Sequence, residues 1–202
     1  EFKKIQLNGF KSFAEKADFL IEDGLTGIVG PNGCGKSNIV ESLRWAMGET
    51  SAKSMRGSGM EDVIFSGTSN KASKNIAEVT IEVENKDKEG PIQYREHDQV
   101  QIKRKIEKDK GSKFYINGKE VRARDAQMFF ADLSTGAHSP SMISQGRIGA
   151  LVTAKPTDRR AILEEAAGIS GLHVRRHEAE LRLGAAENNL KRADELRRQQ
   201  EK

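Results

Sequence analysis

The stretch Gly30-Pro31-Asn32-Gly33-Cys34-Gly35-Lys36-Ser37 fits the spacing G-x-x-x-x-G-K-[ST]. Nothing else in the 202 residues narrows the fold as much. A loop of this kind turns its amides inward around phosphate oxygens, and it can do so only where glycine removes the Cβ clash. It must also leave a strand and enter a helix. Leu25-Thr26-Gly27-Ile28-Val29 reads as a short buried strand ending at Gly30. From Ser37 to Met47, the residues Ile39, Val40, Leu43 and Ala46/Met47 recur at helical spacing, and Gly48 stops the run. That helix points its positive end at the anion the loop would hold. In such a site Lys36 neutralises the β- and γ-phosphates and the Ser37 hydroxyl ligates Mg²⁺. Pro31, Asn32, Gly33, Cys34 and Gly35 form the cradle. Cys34 reads as a small tolerated side chain, with a thiolate stabilised by the helix N-terminus as the alternative.

Upstream, Ile5 and Leu7 share one face of an opening strand, with Lys4, Gln6 and Asn8 on the other. The middle third reads as antiparallel sheet. Ala77, Val79, Ile81 and Val83 alternate with Glu78, Thr80, Glu82 and Glu84, while Val100, Ile102, Arg104 and Ile106 share the next face. Phe114-Tyr115-Ile116 leads into Asn117-Gly118, a two-residue hairpin signal. Residues 86–90 form a polar connector. Asp125 is a cap candidate for a short helix over Met128 to Leu133. After Pro156 a helix is expected from Asp158 to Ala167, interrupted around Gly168 and Gly171. Beyond Leu172, Ala179, Leu183, Ala186, Leu190 and Ala193 follow the coiled-coil period. One reading is an amphipathic helix docked on the domain's own core; the thin seam and charged flanks favour a coiled-coil arm.

Composition removes several classes. Apolar residues make up 36% and charged residues 32%, enough for a core with a large solvated surface. No apolar run approaches the ~20 residues of a membrane span, and the lone Cys34 excludes an internal disulfide framework or a cysteine-based zinc site. An intracellular, soluble protein is expected. The net charge of +4 is too small to argue for nucleic acid in bulk, so any such site must be a local patch. The chain opens at Glu1 and ends inside a charged helical stretch, which reads as a piece of something longer.

A phosphate loop alone does not hydrolyse a nucleotide; a carboxylate at the end of an apolar strand is also needed. Met128-Phe129-Phe130-Ala131-Asp132 has a helical setting, and Val79-Thr80-Ile81-Glu82 reads as half exposed. Neither qualifies. Leu133-Ser134-Thr135-Gly136 only faintly matches a signature loop. The catalytic set is incomplete.

Several segments nevertheless resemble, in order, the N-terminal head segment of the SMC family, chromosome-organising ATPases of the ABC type, with bacterial members nearest. Gly9-Phe10-Lys11-Ser12-Phe13 looks like the family's opening motif, and Gly30 to Asn38 like its Walker A with the trailing asparagine. Arg56-Gly57 followed by Met60 to Gly67 resembles the arginine-loop segment. Ile143-Ser144-Gln145-Gly146 resembles the Q-loop, and Arg159-Arg160 to Gly168 the entry to the neck.

The resemblance implies a P-loop, ABC-type α/β fold: a mixed sheet with an antiparallel subdomain over residues 1–168, then a coiled-coil neck over 169–202. It implies ATP and Mg²⁺ as cofactors. Lys36, Arg56 and Gln145 would be catalytic, Arg56 in the manner of an arginine finger. Ser37 and Gln145 would hold the metal, and Lys11, Ser12 and Asn38 would lie near the nucleotide. Walker B and the signature motif would come from a C-terminal lobe absent from these residues. The implied partners are that lobe, a second SMC head, and a kleisin subunit at the neck. Double-stranded DNA would be bound without sequence specificity, in a nucleoid-associated cytoplasmic setting.

Arg122 and Arg124 match a basic pair on the family's DNA-facing surface. The lysines around them, from Lys103 to Lys119, read equally as a solvated face. Gly59 stands where relatives often carry another lysine. A DNA-repair ABC ATPase and a non-catalytic nucleotide-binding assembly lobe are the rival readings.

Overall fold

The computed structural model describes residues 1–52, 56–85, 91–133, 142, 154–166 and 170–200. Its centre is one six-stranded sheet: β1 (Phe2–Asn8), β2 (Ala17–Leu20), β3 (Ile76–Glu84), β4 (Gln99–Glu107), β5 (Gly111–Ile116) and β6 (Lys119–Val121). The strand order is β2-β1-β3-β4-β5-β6, and every pairing is antiparallel. The register stacks like residues in rows. Phe19, Ile5, Ile81, Ile102 and Ile116 stand side by side across five strands. Leu7, Val79, Arg104, Phe114 and Val121 form the next row. Alternation predicted these faces because a pleated strand sends successive side chains to opposite sides. Thr80 departs from it, being buried on the outer face.

Two helices cover the inner rows, α1 (Lys36–Ala46) and α2 (Ala123–Asp132). α1 contributes Ile39, Leu43, Trp45 and Ala46 to the core, and α2 contributes Ala126, Phe129 and Phe130. Each fully buried aliphatic or aromatic side chain of this kind adds about 1.5–3 kcal/mol. The tightest backbone approach is at Gly9, whose φ is +64° and where a Cβ would lie 2.2 Å from the Ile76 carbonyl oxygen. Only glycine fits there. The Asn117-Gly118 turn has φ of +48° and +80°, the left-handed pair that a two-residue hairpin needs.

Three expectations change. Leu25–Val29 forms no ladder and is not buried: Leu25 is 97% and Val29 92% exposed. Among the described residues the sheet is therefore antiparallel throughout, not mixed. Apolar composition marked a strand, but no edge of this sheet takes it up. α2 begins at Ala123 rather than Met128, because the Asp125 carboxylate sits at its third position and accepts from the Arg122 backbone N–H at 3.2 Å. The acid caps from inside the first turn, a geometry that spacing alone does not separate from an N-cap.

Downstream lie α3 (Pro156–Ala166) and α4 (Ser170–Gln200). Ala179, Leu183, Ala186, Leu190 and Ala193 of the heptad seam are all exposed, so α4 does not bury that seam on this chain's own core. No helix among the described residues is long and apolar enough to cross a membrane.

Candidate phosphate site

The loop geometry follows from its glycines. Gly33 and Gly35 have φ of +82° and +96°, and the turn delivers Lys36 as the first residue of α1. The Lys36 ammonium donates to the carbonyls of Gly30 at 2.6 Å and Pro31 at 2.5 Å. It is thus folded into the concavity of its own loop, 3.9 Å from the Cys34 sulfur. α1 has no side-chain N-cap and no acidic residue in its first turn. The Asn38 N–H closes on the Gly35 carbonyl at 2.9 Å, while no side chain covers the helix start and no acid in its first turn repels an anion. Ser37 is exposed on that first turn. A hydroxyl beside an uncapped helix start and an ammonium suits a magnesium-bound polyphosphate. These are this chain's own features that fit such a ligand.

A second layer is brought in by backbone pairing. The Lys11 N–H donates to the Val63 carbonyl at 2.7 Å, and the Phe65 N–H donates to the Gly9 carbonyl at 2.8 Å. The opening motif and the segment after Arg56 are thereby tied together. Ser12 lies against the loop, its hydroxyl 2.8 Å from where a Cβ on Gly35 would be. The Asn38 amide donates to that Ser12 hydroxyl at 2.8 Å, and its carbonyl oxygen accepts from Arg56 Nη2 at 2.8 Å. Lys11 and Arg56 both meet the carboxylate of Glu41, Lys11 Nζ on Oε2 and Arg56 Nε on Oε1. Lys11, Ser12, Lys36, Asn38 and Arg56 thus share one neighbourhood.

Glu41 was not anticipated. It stands one turn beyond Ser37 on α1 and is 6% exposed. A charged residue in a short helix reads as solvent-facing unless its partners are known; the available signal was its position four residues past Ser37. Asp62 is a second unforeseen organiser. Its Oδ2 accepts from the Ser58 N–H at 2.6 Å, the Ser58 hydroxyl at 3.0 Å and the Gly59 N–H at 2.9 Å. Those hydrogen bonds, the one from Gly59 first, hold its carboxyl below the usual aspartate range. Gln145 and the rest of 143–146 lie outside the described residues, as does 134–136.

Arg122 and Arg124 are exposed at the start of α2, a different part of the fold. Arg122 borders a cavity of about 770 Å³ lined also by Tyr94, Lys113, Phe114, Lys119 and Glu120. Lys113 is paired there with Glu120 at 3.0 Å.

A family model described as the RecF/RecN/SMC N terminal domain matches residues 1–147. The "Chromosome partition protein Smc" of Rhodopseudomonas palustris is 56% identical over 193 residues, which are 96% of this chain and 17% of that protein. Its counterpart from Cereibacter sphaeroides is 56% identical over 195 residues, again 96% and 17%. The chain therefore spans about a sixth of the length of these curated relatives. Among solved structures, an Smc head with an extended coiled coil, bound to the C-terminal domain of ScpA from Pyrococcus furiosus, aligns with TM-score 0.74 and 33% identity. It covers 96% of this chain and 48% of the other. A structure from work on ATP-driven dimerization and DNA-stimulated activation of SMC ATPases aligns with TM-score 0.70 and 30% identity, over 82% and 98%.

Proposed function

This chain belongs to the RecF/RecN/SMC N-terminal domain family, and from that premise we propose that it is the ATP-binding N-terminal lobe of an SMC head. The observation that carries the reading is the Lys36 ammonium, lodged in the loop on the Gly30 and Pro31 carbonyls at the uncapped start of α1. A triphosphate would draw that ammonium off two neutral carbonyls onto charged oxygens, a stronger acceptor set. The amides of Gly33, Cys34 and Gly35 would close on the phosphate chain, with Pro31 and Asn32 forming the rim. Ser37 would supply the metal ligand within this loop, and Gln145 a second. Magnesium, when bound, would neutralise charge on the β- and γ-phosphates. Arg56, turned toward Asn38, would stabilise charge that grows during transfer, while Lys11 and Ser12 flank the nucleotide.

In the whole protein, ATP would join this head to a second one, and hydrolysis would release it, a ligand-driven shift of populations. That cycle would serve chromosome condensation and segregation in the cytoplasm, at the nucleoid. A C-terminal lobe would bring Walker B and the signature motif and would cover the exposed Leu25–Val29 segment. Residues 1–168 would form the head lobe and 169–202 the start of the arm, with a kleisin subunit at this neck. The exposed seam of α4 supports an arm that pairs outside this chain. Arg122 and Arg124 would hold duplex DNA by its phosphates, so that affinity falls steeply with salt. The 56% identity to chromosome partition proteins favours this assignment over a repair ATPase.

Calorimetric titration of MgATP into the complete head tests the reading. Wild type is expected to bind, and Lys36→Ala to weaken binding about a hundredfold, the loss of a strong charge-assisted contact. Equal affinity of the two proteins would overturn it.

A further inference from the structure

We propose that Glu41 is the positioning residue of the phosphate site: a buried carboxylate that gathers Lys11 and Arg56 beside the loop and fixes the direction of the Arg56 guanidinium. The inference deepens the nucleotide-binding reading above and rests on it. Four observations carry it.

First, a carboxylate taken out of water is tolerated only when paired, and Glu41 is paired on each oxygen with a different cation. One net positive charge remains in the trio, available to an anion. Second, the exposures are graded. The Glu41 side chain is 9% exposed and the Arg56 side chain 58%. The guanidinium is thus anchored at Nε by Glu41 and at Nη2 by Asn38, while more than half of the side chain stays open to an incoming phosphate. Third, the other contact of Arg56 leads to the loop floor, through Asn38 to the Ser12 hydroxyl packed on Gly35. The direction set at Glu41 is thereby passed to the residue next after Ser37. Fourth, Lys11 and Arg56 have φ of +46° and +52°, a backbone region that long side chains avoid. Such conformations persist where surroundings impose them, and both residues here converge on one carboxylate. Glu41 touches no phosphate in this scheme; it acts through the two cations.

Binding and turnover therefore respond differently to its loss. Glu41→Gln keeps the side-chain shape but removes the charge that anchors Arg56. In the full-length protein, kcat for MgATP hydrolysis is expected to fall about tenfold while the MgATP Kd stays within about threefold of wild type. Glu41→Asp keeps the charge but withdraws it by one methylene, and about a threefold loss of kcat is expected. If Arg56→Ala removes the same interaction, adding Glu41→Gln to it should cost little more, a non-additivity that a purely structural carboxylate would not produce. Wild-type kcat in Glu41→Gln, or losses that multiply in the double variant, would overturn the inference. Should Glu41→Gln not fold, Glu41→Asp decides alone: unchanged kcat sinks the idea, and a fall with Kd retained sustains it. Wild type binding MgATP and Lys36→Ala failing to do so would leave the nucleotide reading standing whichever way Glu41 turns out. Wild type failing to bind would overturn both.

Discussion

The sheet and the segment leading into the phosphate loop hold the same kinds of apolar residue and treat them in opposite ways. Val79 and Ile81 in β3 have no measurable exposure, whereas Leu25 and Val29 are almost fully open. β3 lies between β1 and β4, so its amides and carbonyls are paired on both sides and its inner face is covered by helices. Leu25–Val29 has neither. Apolar character thus states a demand for burial, and burial follows only where a neighbour can also take the backbone hydrogen bonds. The polar groups divide the same way. Those of the sheet are built to stay in place, as Arg104 shows, while those around the loop, such as Lys36 on its two carbonyls, hold positions that a better acceptor can displace.

One substitution made in both regions gives the largest contrast. Ile81→Asp would bury a carboxylate in the row of Ile5, Ile102 and Ile116 with no cation opposite it. Loss of about 4 kcal/mol or more is expected, enough to abolish cooperative unfolding of the chain. Val29→Asp should leave the same urea transition within about 0.5 kcal/mol, because its site is already wet. It should instead weaken association with the complementary lobe of the head. Equal destabilisation by the two changes would break the comparison.

Arg104 makes the next test. It sits in an inner row of the sheet yet is charged, 3% exposed and stacked 4.5 Å from the Trp45 ring and 4.6 Å from Phe114. Its Nη1 donates to the Trp45 and Glu49 carbonyls at 2.6 and 2.7 Å, and its Nε to the Ser112 hydroxyl at 2.7 Å. The cation therefore satisfies the C-terminal end of α1, where carbonyls lack helical partners and the dipole favours positive charge. Burial pushes its pKa down to about 10, which still leaves it charged at neutral pH. Arg104→Met keeps much of the volume but removes the donor to the Glu49 carbonyl and leaves the Trp45 carbonyl only the Gly48 N–H at 3.1 Å, and about 3 kcal/mol of unfolding free energy should be lost. A loss below about 1 kcal/mol would mean that the ring stacking and hydrogen bonds add little beyond packing.

How much of this could be read from the residues differs between the same two regions. β3 and β4 were legible because strict alternation has one geometric meaning, and the Asn117-Gly118 turn because few residue pairs tolerate two positive φ values. Arg104 was visible on an apolar face, although its service to α1, some sixty residues earlier in the chain, was not. The loop's composition announced phosphate chemistry, and Lys11, Ser12, Asn38 and Arg56 do gather around it. Glu41 and Asp62 stayed hidden because acidic residues in short helical segments carry no periodic signal; only the pairing of Gly9 to Lys11 with Val63 and Phe65 brings their partners near. Leu25–Val29 is apolar yet open, because an apolar pattern states a demand for burial without fixing the neighbour that would meet it.

The smallest expected effect separates the two regions by acid. Asp62 holds the turn after Arg56 through Ser58 and Gly59, and its folded pKa lies below its ordinary value of 3.8. For an acid depressed on folding, the stabilising contribution is complete above the ordinary value and is lost as pH falls through the lower, folded one. The amide resonances of Ser58 and Gly59 should therefore titrate together with a midpoint under 3.8. Those of Val79 and Ile81 should stay flat across the same step, since their inner rows contain no carboxylate. In Asp62→Asn the step should vanish, while β3 keeps its shifts and the chain its fold, because the lost contact is at the surface. A midpoint at or above 3.8 would show that the hydrogen bonds to Asp62 do not favour its charged form. A matching step at Ile81 would show that loop and sheet respond as one unit.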